Sequence, residues 1–142
     1  MSQWYEFKDS RFSLIFKYPE STPGGAAVEK TESSSGDLAR VHFVSRDSGE
    51  LYFEITKYRD LHPEQEYEQH SASLRKRFAK MSITDLQVAD WNSLVAYEYS
   101  FAWDQGVRSV ILIERGDGLY RILYDPRSVL NVRLLSTVEW TD

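Results

Sequence analysis

The sequence predicts an α+β domain, a single antiparallel sheet of six to eight strands with a mid-chain helix and a C-terminal helix packed on it. Three observations predict it. Turn-forming residues separate successive runs of alternating apolar and polar residues, and such short connections make neighbouring strands antiparallel. A long amphipathic segment opens at Pro63 and a second opens after Asp125-Pro126. The 142 residues carry 42% hydrophobic and 14% aromatic side chains, a composition that can bury a core without metal or disulfide. No repeat or composition shift divides residues 1–142, so one domain is expected.

The first hairpin joins Tyr5 to Lys8 with Phe12 to Tyr18 across Asp9-Ser10-Arg11. Pro19 ends it, because proline cannot donate to a ladder. Glu20 to Asp37 reads as a mobile loop, with Pro23-Gly24-Gly25 at one end, Ser33-Ser34-Ser35-Gly36 at the other, and room for one short strand from Ala26 to Thr31. Leu38 to Arg46 and Leu51 to Tyr58 form a second hairpin around Asp47-Ser48-Gly49.

The best helix spans Pro63 to about Met81. Glu64, Glu66 and Glu68 sit at its positive end, and Arg75, Lys76, Arg77 and Lys80 at its negative end. Tyr67, Ser71, Leu74, Phe78 and Met81 share one stripe. Strands are then expected at Ile83 to Ala89, Leu94 to Trp103, Val107 to Arg115 and Leu119 to Tyr124, with turns at Asp90-Trp91-Asn92, Asp104-Gln105-Gly106 and Gly116-Asp117-Gly118. Val95, Tyr97, Tyr99, Phe101 and Trp103 share one face of their strand, while Ala96, Ser100 and Ala102 leave the other open to a closely packed helix. Val107 to Ile113 is apolar on both faces, as a strand covered on both sides requires. Asp125 as N-cap and Pro126 open a closing helix that carries Leu130, Leu134, Leu135 and Val138 up to about Trp140.

Composition excludes several functions. A net charge of −5 disfavours phosphate backbones and anionic lipid surfaces, so neither a nucleic acid nor a membrane is an expected partner. The chain has no Cys, which removes thiol nucleophiles, disulfides and thiolate zinc sites. Neither a signal-type leader nor an 18-residue apolar run is present, so a cytoplasmic location is expected.

No chemistry-bearing constellation rises above its structural reading. His62, Glu66 and His70 are spaced four apart, but His62 precedes Pro63 at the helix start and the metalloprotease pattern is absent, so no metal is assigned. His42 points away from the face shared by Val41 and Phe43, and no nucleophile elbow accompanies it. Ser34 and Ser35 lie on a loop, a poor platform for a nucleophile. The acidic pairs Asp117/Asp125 and Glu98/Glu114 are read as turn, cap and surface residues, and Pro23-Gly24-Gly25 lacks the Lys of a phosphate loop. Arg75-Lys76-Arg77 with Lys80 is read as a solvated helix end. No catalytic residue and no cofactor is assigned. The expected partner surface is the Glu20–Asp37 loop, in particular Pro23, Gly24, Gly25, Ser34 and Ser35, with Trp91 as an aromatic anchor.

Three segments resemble the PsbP-like fold family, which includes the extrinsic photosystem protein and many small bacterial proteins. Phe12-Ser13-Leu14-Ile15-Phe16-Lys17-Tyr18-Pro19 resembles the family's opening strand ending in Tyr-Pro. The mid-chain helix followed by Val95 to Phe101 matches in position, and Leu119 to Tyr124 with Leu134-Leu135-Ser136-Thr137-Val138-Glu139-Trp140 resembles the family's ending. Glu20-Ser21-Thr22 stands where the family often has a Trp, and the lipoprotein-type anchoring Cys of bacterial relatives is missing. The resemblance implies a non-enzymatic binding module, foremost a protein-binding adaptor or chaperone-like accessory protein. A small-molecule binder with an aromatic pocket is the alternative. A deep aromatic pocket would favour the ligand, and a broad exposed apolar patch the protein partner.

Overall fold

The computed structural model describes residues 3–35, 38–45, 49–91, 94–116 and 118–141. Among positions singled out above, Gly36, Asp37, Arg46, Asp47, Ser48, Asn92 and Asp117 lie outside these residues.

The strands form two antiparallel sheets, not the single sheet expected. β1 (Trp4–Asp9) and β2 (Leu14–Pro19) make the first hairpin, with Phe7 opposite Phe16. Asp9 holds its turn by accepting the Arg11 backbone N–H at 2.8 Å. β11 (Glu139–Trp140) pairs with β2 and completes a three-stranded sheet. The second sheet runs β3 (Val28–Ser35), β4 (Leu38–Ser45), β5 (Tyr52–Arg59), β10 (Gly118–Tyr124), β9 (Gly106–Arg115), β8 (Leu94–Trp103). β6 (Met81–Ile83) and β7 (Gln87–Trp91) share the outer side of β8. The small sheet stays separate because Phe7, Phe12, Leu14 and Phe16 all need burial. Laying that apolar side on the face of the large sheet achieves this, whereas pairing at its edge would not.

Four boundaries differ from expectation. The predicted loop from Glu20 to Asp37, with room for a short strand at Ala26 to Thr31, carries a longer one: β3 is an eight-residue edge strand paired with β4 along its whole length, so Ser34 and Ser35 are strand residues. The α1 helix (Pro63–Arg77) stops before Met81 because Phe78 turns extended and stacks on Trp103, their rings 4.9 Å apart. The predicted strand from Ile83 to Ala89 is split between β6 and β7, and β7 continues through Trp91, which is therefore not a turn residue. The closing helix α2 (Val129–Leu135) starts at Ser128 instead of Asp125 and ends well before Trp140. There Thr137, β-branched and extended-prone, donates to Leu134 O and accepts the Lys17 N–H at 2.8 Å, which steers the chain into β11.

The large sheet is covered on both faces. Phe12, Phe16, Phe43, Phe53, Ile111, Ile113 and Leu134 fill the layer between it and the small sheet with α2. Tyr99, Phe101, Val110, Leu112, Leu119 and Leu123 pack under Leu74 of α1 on the other. β9 thus feeds both layers, as its two-sided apolar run requires. The long helix rests on the aromatic side of β8; the small-residue side bearing Ala96 faces the layer that includes Leu134 of α2. Asn131 ties α2 to the sheet. Its Oδ1 accepts the Tyr52 N–H and its Nδ2 donates to Asp125 O, both at 3.0 Å, in a fully buried position. Asn131→Ala leaves both backbone groups unsatisfied, so urea unfolding is expected to show a loss of about 1–3 kcal/mol. No helix among the described residues is long and apolar enough to cross a membrane.

A candidate binding cleft between the long helix and the sheet

Because strand side chains alternate, Tyr52, Glu54, Thr56 and Tyr58 of β5 point to the α1 side of the sheet, with Arg40 and His42 of β4 and Arg121 of β10 beside them. Helix α1 packs through Leu74 over residues of β8, β9 and β10, and side chains of β4 and β5 lie along its flank. The notch along its flank is a half-open cleft of about 540 Å³, lined among others by Arg40, Glu54, Glu66, Arg77, Arg108 and Arg121. Tyr52, Tyr58, Leu61, Phe78, Phe101 and Trp103 give it an aromatic and apolar wall.

Its floor is a buried ionic network. Arg121 Nη2 donates to Glu54 Oε1 at 3.0 Å and Nη1 reaches Glu66 Oε2 at 3.5 Å. Burial works against the Arg121 charge, but Tyr58, Glu54 and Glu66 outweigh it and hold its pKa above the ordinary arginine value. Glu54 also accepts from Thr56 Oγ1 at 3.2 Å, and Arg40 Nε lies 3.5 Å from it. The Tyr99 hydroxyl donates to Glu66 Oε1 at 2.6 Å, and His70 Nδ1 stands 2.5 Å from the same hydroxyl. With Tyr99 giving its only proton to the Glu66 carboxylate, His70 must donate from Nδ1, leaving Nε2 as an acceptor.

Burial pushes the Glu66 carboxyl above its ordinary value, although Tyr99 and Arg121 pull the other way. Burial, then the Arg121 charge, brings His70 down to about 4. Glu66 lies 3.7 Å from His70 Nδ1, yet its charge is already answered by Arg121 and Tyr99, so the imidazole stays neutral. Burial, with Glu66 beside it, raises the Tyr99 pKa far above a free phenol.

At the mouth, the Arg108 guanidinium lies over Tyr52, 4.1 Å from the ring centre, and 5.1 Å from that of Trp103. Its carboxylate neighbour Asp125 is shared. Arg127 donates to Asp125 from its backbone, Nε and Nη2 at 3.0, 3.1 and 3.0 Å, leaving Arg108 one contact at 3.5 Å. Burial holds the Arg108 pKa below the ordinary arginine value. Although burial works the other way, the Arg127 hydrogen bonds keep Asp125 below the usual carboxylate range. The predicted helix cap is thus an ion-pair anchor.

The sequence-nominated residues are not brought together. Pro23, Gly24 and Gly25 form a tight turn closed by Thr22, whose hydroxyl donates to Glu50 and accepts the Ala26 N–H. Gly25 has φ +89°, which favours glycine, and a Cβ on Gly24 would lie 2.6 Å from Glu50 Oε1, so a side chain there would push the Glu50 carboxylate aside. Ser34 and Ser35 are exposed on edge strand β3, while half-buried Trp91 packs on the main core from the opposite edge. His62 is exposed and faces Glu114 at 3.6 Å, apart from Glu66 and His70, which do meet. Among the described residues no three His, Asp or Glu side chains are grouped as a metal ion needs. Glu98 and Glu114 face opposite sides of the sheet. His42 points to the cleft side, 4.7 Å from Tyr52 ring to ring, and Arg77 of the basic helix end lines the cleft.

Sequence reasoning missed Arg40, Glu54, Arg108 and Arg121. One signal was present: Arg121 interrupts Leu119-Tyr120-Arg121-Ile122-Leu123, and Glu54 stands between Phe53 and Ile55. A charge inside an otherwise apolar strand seldom goes buried without a partner.

No protein-family model matches the sequence and no curated protein matches it. Among solved structures, the chain is similar to the solution structure of cyanobacterial PsbP (CyanoP) from Synechocystis sp. PCC 6803, with a TM-score of 0.63 at 8% identity, over 99% of this chain and 94% of that one. A crystal structure from Bacteroides thetaiotaomicron VPI-5482 aligns with a TM-score of 0.46 at 12% identity, over 96% of this chain and 48% of that one. The first likeness is one of backbone rather than sequence, and it runs along nearly the whole chain: the protein has the PsbP-like fold.

Proposed function

We propose that the protein is a non-enzymatic binding module and that the cleft between α1 and β4–β5 is where its ligand sits. The observation that carries this reading is the cleft's composition. A volume of about 540 Å³ suits a small molecule or a chain end. A wall of Tyr52, Phe78 and Trp103 faces a floor of charged groups that simple core packing would not need. Those floor groups are spent on one another: Glu66 on Tyr99 and Arg121, Glu54 on Arg121 and Thr56, and His70 on Tyr99. Such an arrangement supports rigid recognition over proton transfer.

The protein-partner reading is favoured by a different observation. Val88 and Val95, 71% and 68% exposed, lie together on the β7–β8 hairpin. Val129 and Val132 form another exposed pair on α2. Each pair is too small for a broad apolar interface, which favours the ligand reading.

The test is a fragment screen of mixed charge against isotope-labelled protein, read by chemical shift. Perturbations are expected to cluster on the Trp103 indole and the Tyr52 and Arg108 amides. A screen whose hits all map to Val88–Val95 or Val129–Val132 would move the working site to those surfaces.

A further inference from the structure

The cleft's charge and hydrogen-bond balance point to the kind of ligand. Four guanidinium groups line it, from Arg40, Arg77, Arg108 and Arg121, against two carboxylates, Glu54 and Glu66. Counting Asp125 behind Arg108 still leaves one positive charge over, in a chain whose net charge is −5. The excess is not spread evenly. Arg121 consumes both lining carboxylates at the floor. Arg40 Nε shares Glu54 Oε1 with Arg121, at 3.5 Å, and donates to the neutral Thr56 Oγ1 at 3.3 Å. Arg108 donates to Val107 O at 2.9 Å and has a single long carboxylate contact, to an aspartate that Arg127 already binds through three nitrogens. No carboxylate among the described residues lies within ion-pair distance of Arg77, whose guanidinium leans on the Phe78 ring at 5.2 Å. One donor at the floor is left over as well. Arg121 Nε is buried without a partner, and guanidinium nitrogens can only donate.

These unspent cations adjoin an apolar surface. Phe78 and Trp103 stack 4.9 Å apart, nearly parallel, and Trp103 continues onto Phe101 at 5.8 Å. The Arg108 guanidinium packs against both Tyr52 and Trp103, contacts that restrict its fork before any ligand arrives. A planar guanidinium is suited to bidentate recognition of a carboxylate or phosphate, and Arg40 lines the same cleft as a second cation.

We propose that the cleft binds an organic anion, a carboxylate or phosphate on an apolar body, with its head on Arg40 and Arg108 and its body along Phe78 and Trp103. This rests on the reading of the cleft as the ligand site. A free organic acid and the terminal carboxylate of a peptide ending in an apolar residue present the same chemistry.

The test uses matched probes on the intact chain, followed by shifts of the Trp103 indole and by calorimetry. Hydrocinnamate and phenyl phosphate are expected to bind about tenfold or more tightly than neutral hydrocinnamamide, the loss that follows when charge-assisted hydrogen bonds are removed. Inorganic phosphate should bind more weakly than phenyl phosphate, since it lacks the body. Arg108→Gln and, separately, Arg40→Gln should each weaken hydrocinnamate while leaving hydrocinnamamide unchanged. Arg40 is half-exposed, so its variant keeps the test open if Arg108→Gln does not fold. A dipeptide ending in Phe, compared with its C-terminal amide, distinguishes the sources: a chain end is the ligand if the free-acid dipeptide binds more tightly than hydrocinnamate, and a free acid if the order is reversed. Equal binding of the acid and its amide in the cleft overturns the anion assignment while leaving the cleft as a site. Inorganic phosphate binding as well as phenyl phosphate overturns the apolar half. Probes that shift only residues outside the cleft overturn both the assignment and the site.

Discussion

Replacing Arg121 with methionine is expected to lower the unfolding free energy by about 3–5 kcal/mol, a large part of the total stability of a domain this size. Arg121 is buried and touches Glu54 and Glu66, which are themselves 8% and 2% exposed. Removing the cation strands two carboxylates away from water, and that desolvation, rather than the lost attraction, sets the magnitude. The loss has a pH signature. Burial already raises the Glu66 pKa, and without Arg121 it rises further. An acid with a raised folded pKa binds more protons in the folded state, so its stability contribution is full below the unfolded pKa and is lost as pH rises through the folded one. The deficit of Arg121→Met should therefore shrink as urea melts are taken down toward the ordinary carboxylate range. A companion carrying Glu54→Gln and Glu66→Gln with Arg121→Met should recover much of the loss, because it leaves no buried charge unpaired. A deficit independent of pH and unrepaired in the companion would mean that Arg121 acts through packing alone.

The same residue shows where sequence reading reaches its limit. The hairpins, the start of α1 at Pro63 and the two-sided burial of β9 are written in local patterns: period two, a proline at the first helical turn, an apolar run without alternation. Sheet membership is not local. Leu14, Phe16 and Leu119 alternate alike, but only the three-dimensional arrangement sends the first two to a separate three-stranded sheet. Glu32 and the three serines after it look like a loop because the end of an edge strand exposed on both faces buries nothing. The aspartate before Pro126 looks like a helix cap because it does accept a backbone N–H two residues on, from Arg127, while the side-chain pairing with Arg127 and the contact with Arg108, seventeen residues upstream, leave no local pattern.

The cleft was less legible than the fold. Its charged groups come from β4, β5, α1, β9 and β10, so no window of sequence holds two partners of the central Arg121 pairings. Glu66 and His70 were noticed as helix neighbours, and they do share an environment, but their common partner Tyr99 is 33 residues from Glu66. That spacing assigned no metal, and it named no other partner for either residue. The phenol and the guanidinium that engage Glu66 could be found only by folding the chain.

His70 carries the second large effect. A folded-state pKa of about 4, against an ordinary 6.5, means that the unfolded chain takes up a proton in this window that the folded chain refuses. The unfolded state binds more protons, so stability rises with pH from about 4 to about 6.5 and is flat for this group on either side. The shift corresponds to about 3 kcal/mol at its full extent. Burial is the largest cause; Arg121 and Arg77 oppose protonation with it, and Glu54 alone among the charges that shift it favours protonation, Glu66 being already engaged by Arg121 and Tyr99. Glu66, with its raised pKa, works in the opposite sense above its own unfolded value, and His42, lowered by burial, works in the same sense as His70. The total pH profile therefore blends several groups, and the informative quantity is a difference. His70→Gln keeps a hydrogen-bonding partner for the Tyr99 hydroxyl but cannot titrate. Wild type should lose stability relative to this variant by up to about 3 kcal/mol between neutral pH and about pH 4, measured by urea unfolding at several pH values. Parallel wild-type and variant profiles, or an imidazole resonance of His70 titrating at or above its ordinary value, would mean that Glu66 holds a charged His70 and that the cleft floor carries one positive charge more.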